Sequence, residues 1–175
     1  MRWRVTLRAS DAAAVHELVA ETGFFSEAEQ RVAVELVDET LTRGKDSGYE
    51  FVFADMPGDN QKLIGYTCFG PIPGTKSSFD LYWIAVTPRQ QGKGLGGKLM
   101  RKTERLAKEQ KATHLFIDTS GRAQYAPTRA FYERMGYRKE ATIRNFYAPG
   151  DAKVIYAKRL QSAGRSFRNF RIDNR

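Results

Sequence analysis

A chain of 175 residues, of which 41% are hydrophobic and 28% charged, has the size and composition of one folded domain and is neither collagen-like nor wholly disordered. Its 29 Lys and Arg residues outnumber its 20 Asp and Glu residues, and the net charge of +9 favours polyanionic ligands such as nucleic acids, anionic lipids or phosphorylated cofactors. A single cysteine excludes an internal disulfide and, with two histidines, a zinc cluster, so we expect no metal.

Neither a membrane anchor nor a secretion signal is indicated by the sequence. No apolar run reaches the roughly 18 to 20 residues that cross a bilayer. The first eleven residues carry charge but lack the apolar core of a signal peptide. We therefore expect a cytoplasmic protein without a membrane partner.

The first half of the chain predicts one strand, two helices and a hairpin. Ser10 stands before an apolar stripe at helical spacing, where it would cap a helix, and Ser26 with Glu29 forms the capping-box pattern that begins a second helix. Turn residues at 57–60 separate two strand patterns. The predicted elements are a strand at 4–8, helices after Ser10 and from Ser26 to about residue 41, and hairpin strands at 49–54 and 62–69.

The second half predicts a strand–helix–strand unit, a further helix and a second hairpin. Residues 79–86 are mostly apolar and aromatic, as in a central strand, and Leu95, Leu99 and Leu106 recur at the spacing of a helix that packs on a sheet. The predicted elements are strands at 79–86 and 114–118, helices to about 110 and at 126–135, and strands at 138–146 and 154–158. We expect residues 1–160 to form one domain and 161–175 a basic C-terminal tail.

A glycine-rich segment at 89–98, with the sequence RQQGKGLGGK, leads into the helix that follows the central strand. Glycines let the backbone approach an anion closely, because they have no Cβ. The first turn of the helix offers unpaired N–H groups and the positive end of the helix dipole. The segment therefore predicts a site for a phosphate-bearing ligand.

Two nucleotide-binding motifs partly match this segment. The glycine spacing at 92–97 fits the dinucleotide fingerprint, and Asp118 lies about 20 residues later, where that motif has a ribose-binding acid. That motif expects its first glycine directly after the strand, whereas residues 87–91 intervene here. The segment also fits most of a P-loop, but Leu99 replaces the magnesium-binding Ser or Thr. A nicotinamide-dependent oxidoreductase is the main alternative enzyme.

A third motif matches better. The pattern Arg89-x-x-Gly92-x-Gly94, preceded by the segment IAVTP, resembles motif A of the GNAT superfamily of N-acetyltransferases. The segment APTRAFYERMGY at 126–137 is similar to the FYExxGF/Y segment of the same superfamily. The elements that contain the two segments follow the order of that superfamily, which is strand, turn, helix, strand and helix. The N-terminal strand and helices fit as well, so the resemblance covers about residues 3–160.

The resemblance implies an α+β (α/β) fold with a central, mixed and mostly antiparallel twisted sheet of about six to seven strands, which contains a splayed parallel pair and is flanked by about four helices. It implies an acyltransferase that moves the acetyl group of acetyl-CoA to a primary amine of a small molecule or peptide. The transfer would proceed by direct attack through a tetrahedral intermediate. Dimers are common in this superfamily, so a homodimer is compatible with the resemblance.

The resemblance also implies where acetyl-CoA binds. In this superfamily the strand before motif A pairs with the pantetheine arm, and the amides of the turn hold the pyrophosphate. The matching residues are Ile84, Ala85, Val86, Arg89, Gln91, Gly92, Lys93, Gly94, Leu95, Gly96, Gly97 and Thr128. Many members have an asparagine that contacts pantetheine where this chain has Tyr125, which leaves that contact to Tyr125 or to Thr128.

Two residues are implied in catalysis by the same resemblance. Tyr132 matches the tyrosine of the FYE segment that gives a proton to the departing thiolate in many members, although it could instead be a packing aromatic. Asp80 lies where many members have an acidic residue, and it is the candidate general base, or else a surface carboxylate paired with a lysine. Strand alternation places Asp80 on one face with Tyr82 and Ile84. Asp118 is the second candidate base.

The acceptor and the tail are less well defined by the sequence. Residues 21–39 are rich in acidic side chains, which either draw a cationic acceptor or form a solvated helix face. The tail alternates arginine with phenylalanine, which suggests a nucleic-acid-binding module as a second alternative function. We instead expect a disordered or dimer-docking tail, because short basic ends are common.

Overall fold

The computed structural model describes residues 1–58 and 62–160. Its strands and helices, in chain order, are β1 (Arg2–Arg4), α1 (Asp11–Glu21), α2 (Glu27–Arg43), β2 (Glu50–Asp55), β3 (Leu63–Pro71), β4 (Ser78–Val86), α3 (Leu95–Glu109), β5 (His114–Ser120), α4 (Ala126–Arg134), β6 (Arg138–Ala148) and β7 (Asp151–Arg159). The predicted order of elements is confirmed. The tail predicted at 161–175 lies outside the described residues.

All the strands belong to one 7-stranded sheet, in the order β1-β2-β3-β4-β5-β7-β6. Neighbouring strands are antiparallel except β4 and β5, which are parallel and are joined by a crossover through α3. The mixed, mostly antiparallel sheet with one parallel pair is thus confirmed, and it differs from the parallel sheet of a dinucleotide-binding fold. Among the described residues, no helix combines the length and the apolar character needed to cross a membrane.

Different helices cover the two faces of the sheet. Under α1 and α2 lies a buried cluster that includes Val15, Val19, Val37, Phe51, Phe53 and Tyr66. Under α3 and α4 lies a second cluster that includes Leu95, Leu99, Met100, Leu115, Ile117, Tyr132 and Tyr156. Because Leu95 and Leu99 anchor the start of α3 on the sheet, the first turn of this helix is fixed next to the carboxyl end of β4.

Helix α2 begins at the capping box that the sequence predicts. The Glu29 backbone N–H donates to the Ser26 hydroxyl at 3.3 Å, and the Ser26 backbone N–H donates to Glu29 Oε2 at 2.8 Å. The helix ends at Arg43, before Gly44, which has a φ of +57°. The capping box therefore holds the Glu29 carboxylate in a defined position.

The first strand was predicted at 4–8, and this position is wrong, because β1 ends at Arg4. The Arg4 side chain donates to both Asp11 and Asp55, and the Arg8 backbone N–H donates to Asp11 at 2.7 Å. These bonds draw the chain away from the sheet toward the start of α1. Ser10 precedes α1 as predicted, but its side chain makes no capping bond.

Strand β4 leaves its parallel neighbour halfway along. It pairs with β5 from Ser78 to Leu81 only, so its last five residues diverge from β5. A bulge in the pairing with β3 sets Cys68 against Trp83 and Phe69 against Leu81, which leaves Tyr82 without a cross-strand partner. The extra residue reverses the alternation of side chains along β4.

The bulge corrects one prediction about β4. Phe79 and Leu81 pack in the cluster under α3, and so does Ile84, whereas Tyr82 packs against the cluster under α1 and α2. Ile84 therefore does not share a face with Tyr82 and Asp80, as strict alternation would require.

Candidate active site

A cavity of about 1050 Å³ lies where β4 and β5 diverge, close to the upper limit of about 1,000 Å³ that is usual for ligand sites. One end is lined by the last residues of β4, the glycine-rich turn, the start of α3 and one side of α4. The other end is lined by residues of the α1–α2 connection, the start of β4 and the end of β5. We call these the turn end and the acceptor end.

The turn end presents backbone N–H groups. Gly92 and Gly94 have φ angles of +72° and +79°, a conformation that L side chains rarely adopt. The first helical bond of α3 runs from the Lys98 N–H to the Gly94 carbonyl at 3.2 Å. Within the described chain, the N–H groups of residues 92–97 have no hydrogen-bond acceptor. The turn can therefore donate to an anion, as the sequence predicts.

The space in front of this turn suits an extended anionic ligand. A Cβ placed on Gly92 or Gly94 would meet no atom within 4 Å. Arg101 and Arg134 also line the cavity, and an Arg101 guanidinium nitrogen lies 3.3 Å from the position of a Cβ on Gly97. Unpaired amides with nearby arginines are the donor set that a pyrophosphate needs.

Most of the residues predicted to bind acetyl-CoA meet in this cavity. Those that line it are Ile84, Ala85, Val86, Gln91, Gly92, Gly94, Leu95, Gly96, Gly97 and Thr128. Arg89 and Lys93 are exposed and lie outside the lining. The Gln91 side-chain amide donates to the Val86 carbonyl at 3.0 Å, which ties the turn to the end of β4.

Tyr132 lies on the cavity wall between the two ends. Its side chain is only 5% exposed and packs beside Tyr137 and Tyr156, with ring centroids 6.3 and 5.9 Å away. Burial raises the pKa of the Tyr132 hydroxyl, so the group is protonated at neutral pH. No hydrogen bond to this hydroxyl is found in the described part of the chain, and the hydroxyl is therefore free to donate to a ligand.

Asp80 and Asp118 both line the acceptor end but differ in their surroundings. Asp80 is half-buried, and burial, with a smaller contribution from the negative charge of Asp118, raises its pKa to about 6. Asp118 forms an ion pair with Lys153. Tyr82, close to Asp80, has its pKa raised to about 12 by burial and by that carboxylate. Asp80 is therefore the better-suited base, since it changes protonation state near neutral pH.

Aromatic side chains form the rest of the acceptor end. Phe24 packs edge-on against Tyr125 with centroids 4.6 Å apart, and Phe25 packs on Trp83 at 4.9 Å. The Tyr125 hydroxyl donates to Glu29 Oε1 at 3.4 Å. Trp83 Nε1 is buried and has no hydrogen-bond partner among the described residues. Tyr125 thus bridges to α2 and belongs to the acceptor end, where the sequence had left its role open.

Sequence reasoning missed several residues of this end, including Phe24, Phe25, Trp83, Arg122 and Tyr147. Phe24 and Phe25 directly precede the α2 capping box. Apolar residues in that position often pack on their own helix, so the sequence provides no reason to assign them to a ligand site. Tyr147 lies in the β6–β7 hairpin, far away in sequence. No spacing rule connects these segments, because the sheet topology alone brings them together.

The described residues contain no group of three or more His, Cys, Asp or Glu side chains that could hold a metal ion. Several of the buried polar groups near the cavity instead pair with one another. Ser120 donates to Asp151 at 2.6 Å, and Arg122 contacts the same carboxylate at 3.0 Å. These contacts fix Asp151 and Arg122 at the edge of the cavity.

Comparisons with known proteins agree with this geometry. The profile of the acetyltransferase (GNAT) family matches residues 13–137. A crystal structure from Desulfovibrio desulfuricans, described as an acetyltransferase of the GNAT family, is 44% identical with a TM-score of 0.88, and the alignment covers 91% of this chain and 99% of that one. Among curated proteins, no sequence matches this chain.

Two more distant structures share the fold. An aminoglycoside 6'-N-acetyltransferase in complex with coenzyme A is 16% identical with a TM-score of 0.72, and 94% of this chain and 99% of that one are covered. The ribosomal-protein-S18-alanine N-acetyltransferase of Escherichia coli is 20% identical with a TM-score of 0.69, and 94% and 98% are covered. From its family profile and its fold, this chain belongs to the GNAT family of acetyltransferases.

Proposed function

We propose that this protein is an N-acetyltransferase that transfers the acetyl group of acetyl-CoA to a primary amine of a small molecule or peptide. The observation that supports this most strongly is the run of unpaired N–H groups at 92–97, because all of these residues except Lys93 line the same cavity as Tyr132 and Asp80. The family establishes acetyl transfer in general terms. The use of acetyl-CoA and the amine acceptor belong to the proposal.

The chain offers acetyl-CoA two kinds of contact. The amides of residues 92–97 would hold the pyrophosphate, with Arg101 and Arg134 supplying positive charge. Beyond Leu81, the edge of β4 that faces β5 has no strand partner in the described chain, so its backbone is available to the amides of pantetheine. Both contacts would direct the thioester toward Tyr132.

Acetyl-CoA would supply the activated acetyl thioester, and the side chains of the protein would move the protons. Asp80 accepts a proton from the attacking nitrogen as the new C–N bond forms, directly or through a water molecule. Tyr132 gives its proton to the sulfur as the C–S bond breaks, and it is reprotonated from solvent. Because burial raises the pKa of the Tyr132 hydroxyl, the proton to be donated is present at neutral pH.

The alternatives are less well supported. A nicotinamide-dependent oxidoreductase with a glycine fingerprint would use a parallel, doubly wound sheet, whereas this sheet has one parallel pair. The residues that suggested a nucleic-acid-binding tail lie outside the described part of the chain.

Calorimetric titration with acetyl-CoA, CoA and NADH tests the proposal. We expect the two CoA compounds to bind at one site and NADH not to bind. Release of free CoA thiol should then depend on added amine. Binding of NADH in place of CoA, or thiol release that no amine accelerates, would contradict the proposal.

A further inference from the structure

The acceptor end of the cavity has an unbalanced charge. Four carboxylates line it, from Glu29, Asp80, Asp118 and Asp151. Asp118 is paired with Lys153, and Asp151 with Arg122 at 3.0 Å. Within residues 1–58 and 62–160, neither Glu29 nor Asp80 forms a salt bridge. Lys153 acts on Asp80 only at longer range. A cavity that contains two carboxylates without a salt bridge favours a ligand that brings positive charge.

These two carboxylates lie on different walls. Asp80 is on β4, near the point where β4 and β5 diverge, whereas Glu29 is in the first turn of α2. The Glu29 carboxylate is fixed by Ser26, whose backbone N–H and hydroxyl both lie 2.8 Å from Oε2. The Tyr125 hydroxyl, at 3.4 Å, is its contact across the cavity. These contacts orient the carboxylate but are all neutral, so they leave its charge in place.

The surface near the two carboxylates is aromatic. Tyr125, Phe24, Phe25 and Trp83 pack in a row, each ring against the next, and Tyr82 adjoins Asp80. Aromatic walls accept methylene groups through apolar contact, and their ring faces attract ammonium groups. A ligand that fits here has an apolar middle and a cation at each end.

We propose that the acceptor is a linear alkyl diamine or polyamine, with its reacting amine at Asp80, its methylene chain along the aromatic walls and its second ammonium group at Glu29. This inference rests on the proposed acetyl transfer and specifies its acceptor class. A monoamine would leave Glu29 uncompensated, and an acceptor with an anionic end would be repelled by it.

The test compares amines of equal length. In n-pentylamine a methyl group replaces the second ammonium of 1,4-diaminobutane, and n-heptylamine is matched in the same way to 1,6-diaminohexane. With saturating acetyl-CoA, we expect kcat/KM for at least one diamine to exceed that of its monoamine by about 10-fold or more, since a charge-assisted contact to Glu29 is gained. Equal kcat/KM values within both pairs would overturn the proposal.

The variant Glu29→Gln tests whether Glu29 is the residue that causes the preference for diamines. Glutamine can keep the capping-box bond to the Ser26 N–H, so α2 should still form. We expect the ratio of diamine to monoamine to fall toward one in this variant. The matched control is Glu27→Gln, which removes the same charge in the same helical turn but outside the cavity lining, and should keep the wild-type ratio. A diamine preference that survives in Glu29→Gln would overturn the proposal.

Calorimetric titration with acetyl-CoA distinguishes a wrong acceptor assignment from a wrong proposed function. If acetyl-CoA binds but diamines are not preferred, the acceptor assignment is wrong and the acetyltransferase proposal stands. If acetyl-CoA does not bind, the proposed function fails, and the acceptor assignment fails with it.

Discussion

The two ends of the cavity are built in different ways. The turn end is centred on one continuous segment, from the end of β4 to the start of α3, which carries unpaired backbone N–H groups, and α4 adds side chains to it. The acceptor end is made by side chains from the α1–α2 connection, β4, β5 and the β6–β7 hairpin. A backbone site depends on local conformation and tolerates most changes elsewhere in the chain. A site assembled from distant side chains can change its ligand through one substitution.

The ends also differ in charge, which accords with the two ligands proposed. Arg101 and Arg134 line the turn end, beside N–H groups at the positive end of the α3 dipole. Glu29 and Asp80 line the acceptor end and form no salt bridge in the described chain. An anionic co-substrate and a cationic acceptor would therefore enter regions of opposite potential. This separation predicts that substitutions at one end spare binding at the other.

The largest effect is expected from Gly94→Asp at the turn end. Aspartate tolerates a positive φ better than most residues, but its carboxylate would lie where the pyrophosphate is proposed to bind. We expect the Kd for CoA to rise about 1000-fold, because two like charges about 4 Å apart repel strongly in a partly buried site. The measurement is calorimetric titration.

The matched control is Gly74→Asp, which introduces the same side chain in the same conformation. Gly74 has a φ of +78°, also has open space around its Cβ position, and lies outside the cavity lining. CoA should bind to this variant as to the wild type. Wild-type affinity in Gly94→Asp would refute the assignment of the turn.

The next effect is expected from Tyr132→Phe, between the two ends. Loss of the proton donor should lower kcat about 100-fold, the low end for general acid catalysis, with little change in acetyl-CoA affinity. The control is Tyr137→Phe, a nearby buried tyrosine whose hydroxyl bonds Glu104 at 3.1 Å outside the cavity. That variant should lose about 1 kcal/mol of unfolding free energy and keep its kcat. An unchanged kcat in Tyr132→Phe would remove the proposed role.

A smaller effect is expected from Asp80→Asn at the acceptor end. Because the pKa of Asp80 is about 6, wild-type kcat/KM should rise as pH increases through this value and the base ionises. The variant should lose this rise and be about 10-fold slower near neutral pH. Asp118→Asn should instead move the rise to lower pH, since it removes the nearby negative charge and frees Lys153. If Asp118→Asn abolished the rise, Asp118 would be the base.

The smallest effect concerns the stability of the folded protein and again involves Asp80. The pKa of Asp80 is higher in the folded protein than the value of about 3.9 for an exposed aspartate. Ionisation of Asp80 therefore opposes folding, with a cost that is absent below about pH 4 and complete above about pH 6. Asp80→Asn should raise the Tm near neutral pH but not near pH 4. A lower Tm at neutral pH would contradict this sign.

Local sequence predicted the conformation of the glycine-rich turn well, because that conformation depends on residues close along the chain. The glycines at 92 and 94 adopt the positive φ angles that only glycine takes easily, and α3 begins directly after them. The same holds for the α2 capping box at Ser26 and Glu29, in which both partners lie within one turn. The β1 strand was misplaced because Arg4 and Asp11 form contacts that no strand pattern reveals.

The sequence by itself determined the order of the elements, the position of the glycine-rich turn and the family, since each depends on residues that are close along the chain. The tertiary structure alone decided which residues face the acceptor. The bulge at Tyr82 turned Ile84 to the opposite face of the sheet from Asp80, and the Tyr125–Glu29 contact joined segments 96 residues apart. Such contacts depend on how the sheet is assembled, because the energy that fixes them comes from burial and pairing between distant segments.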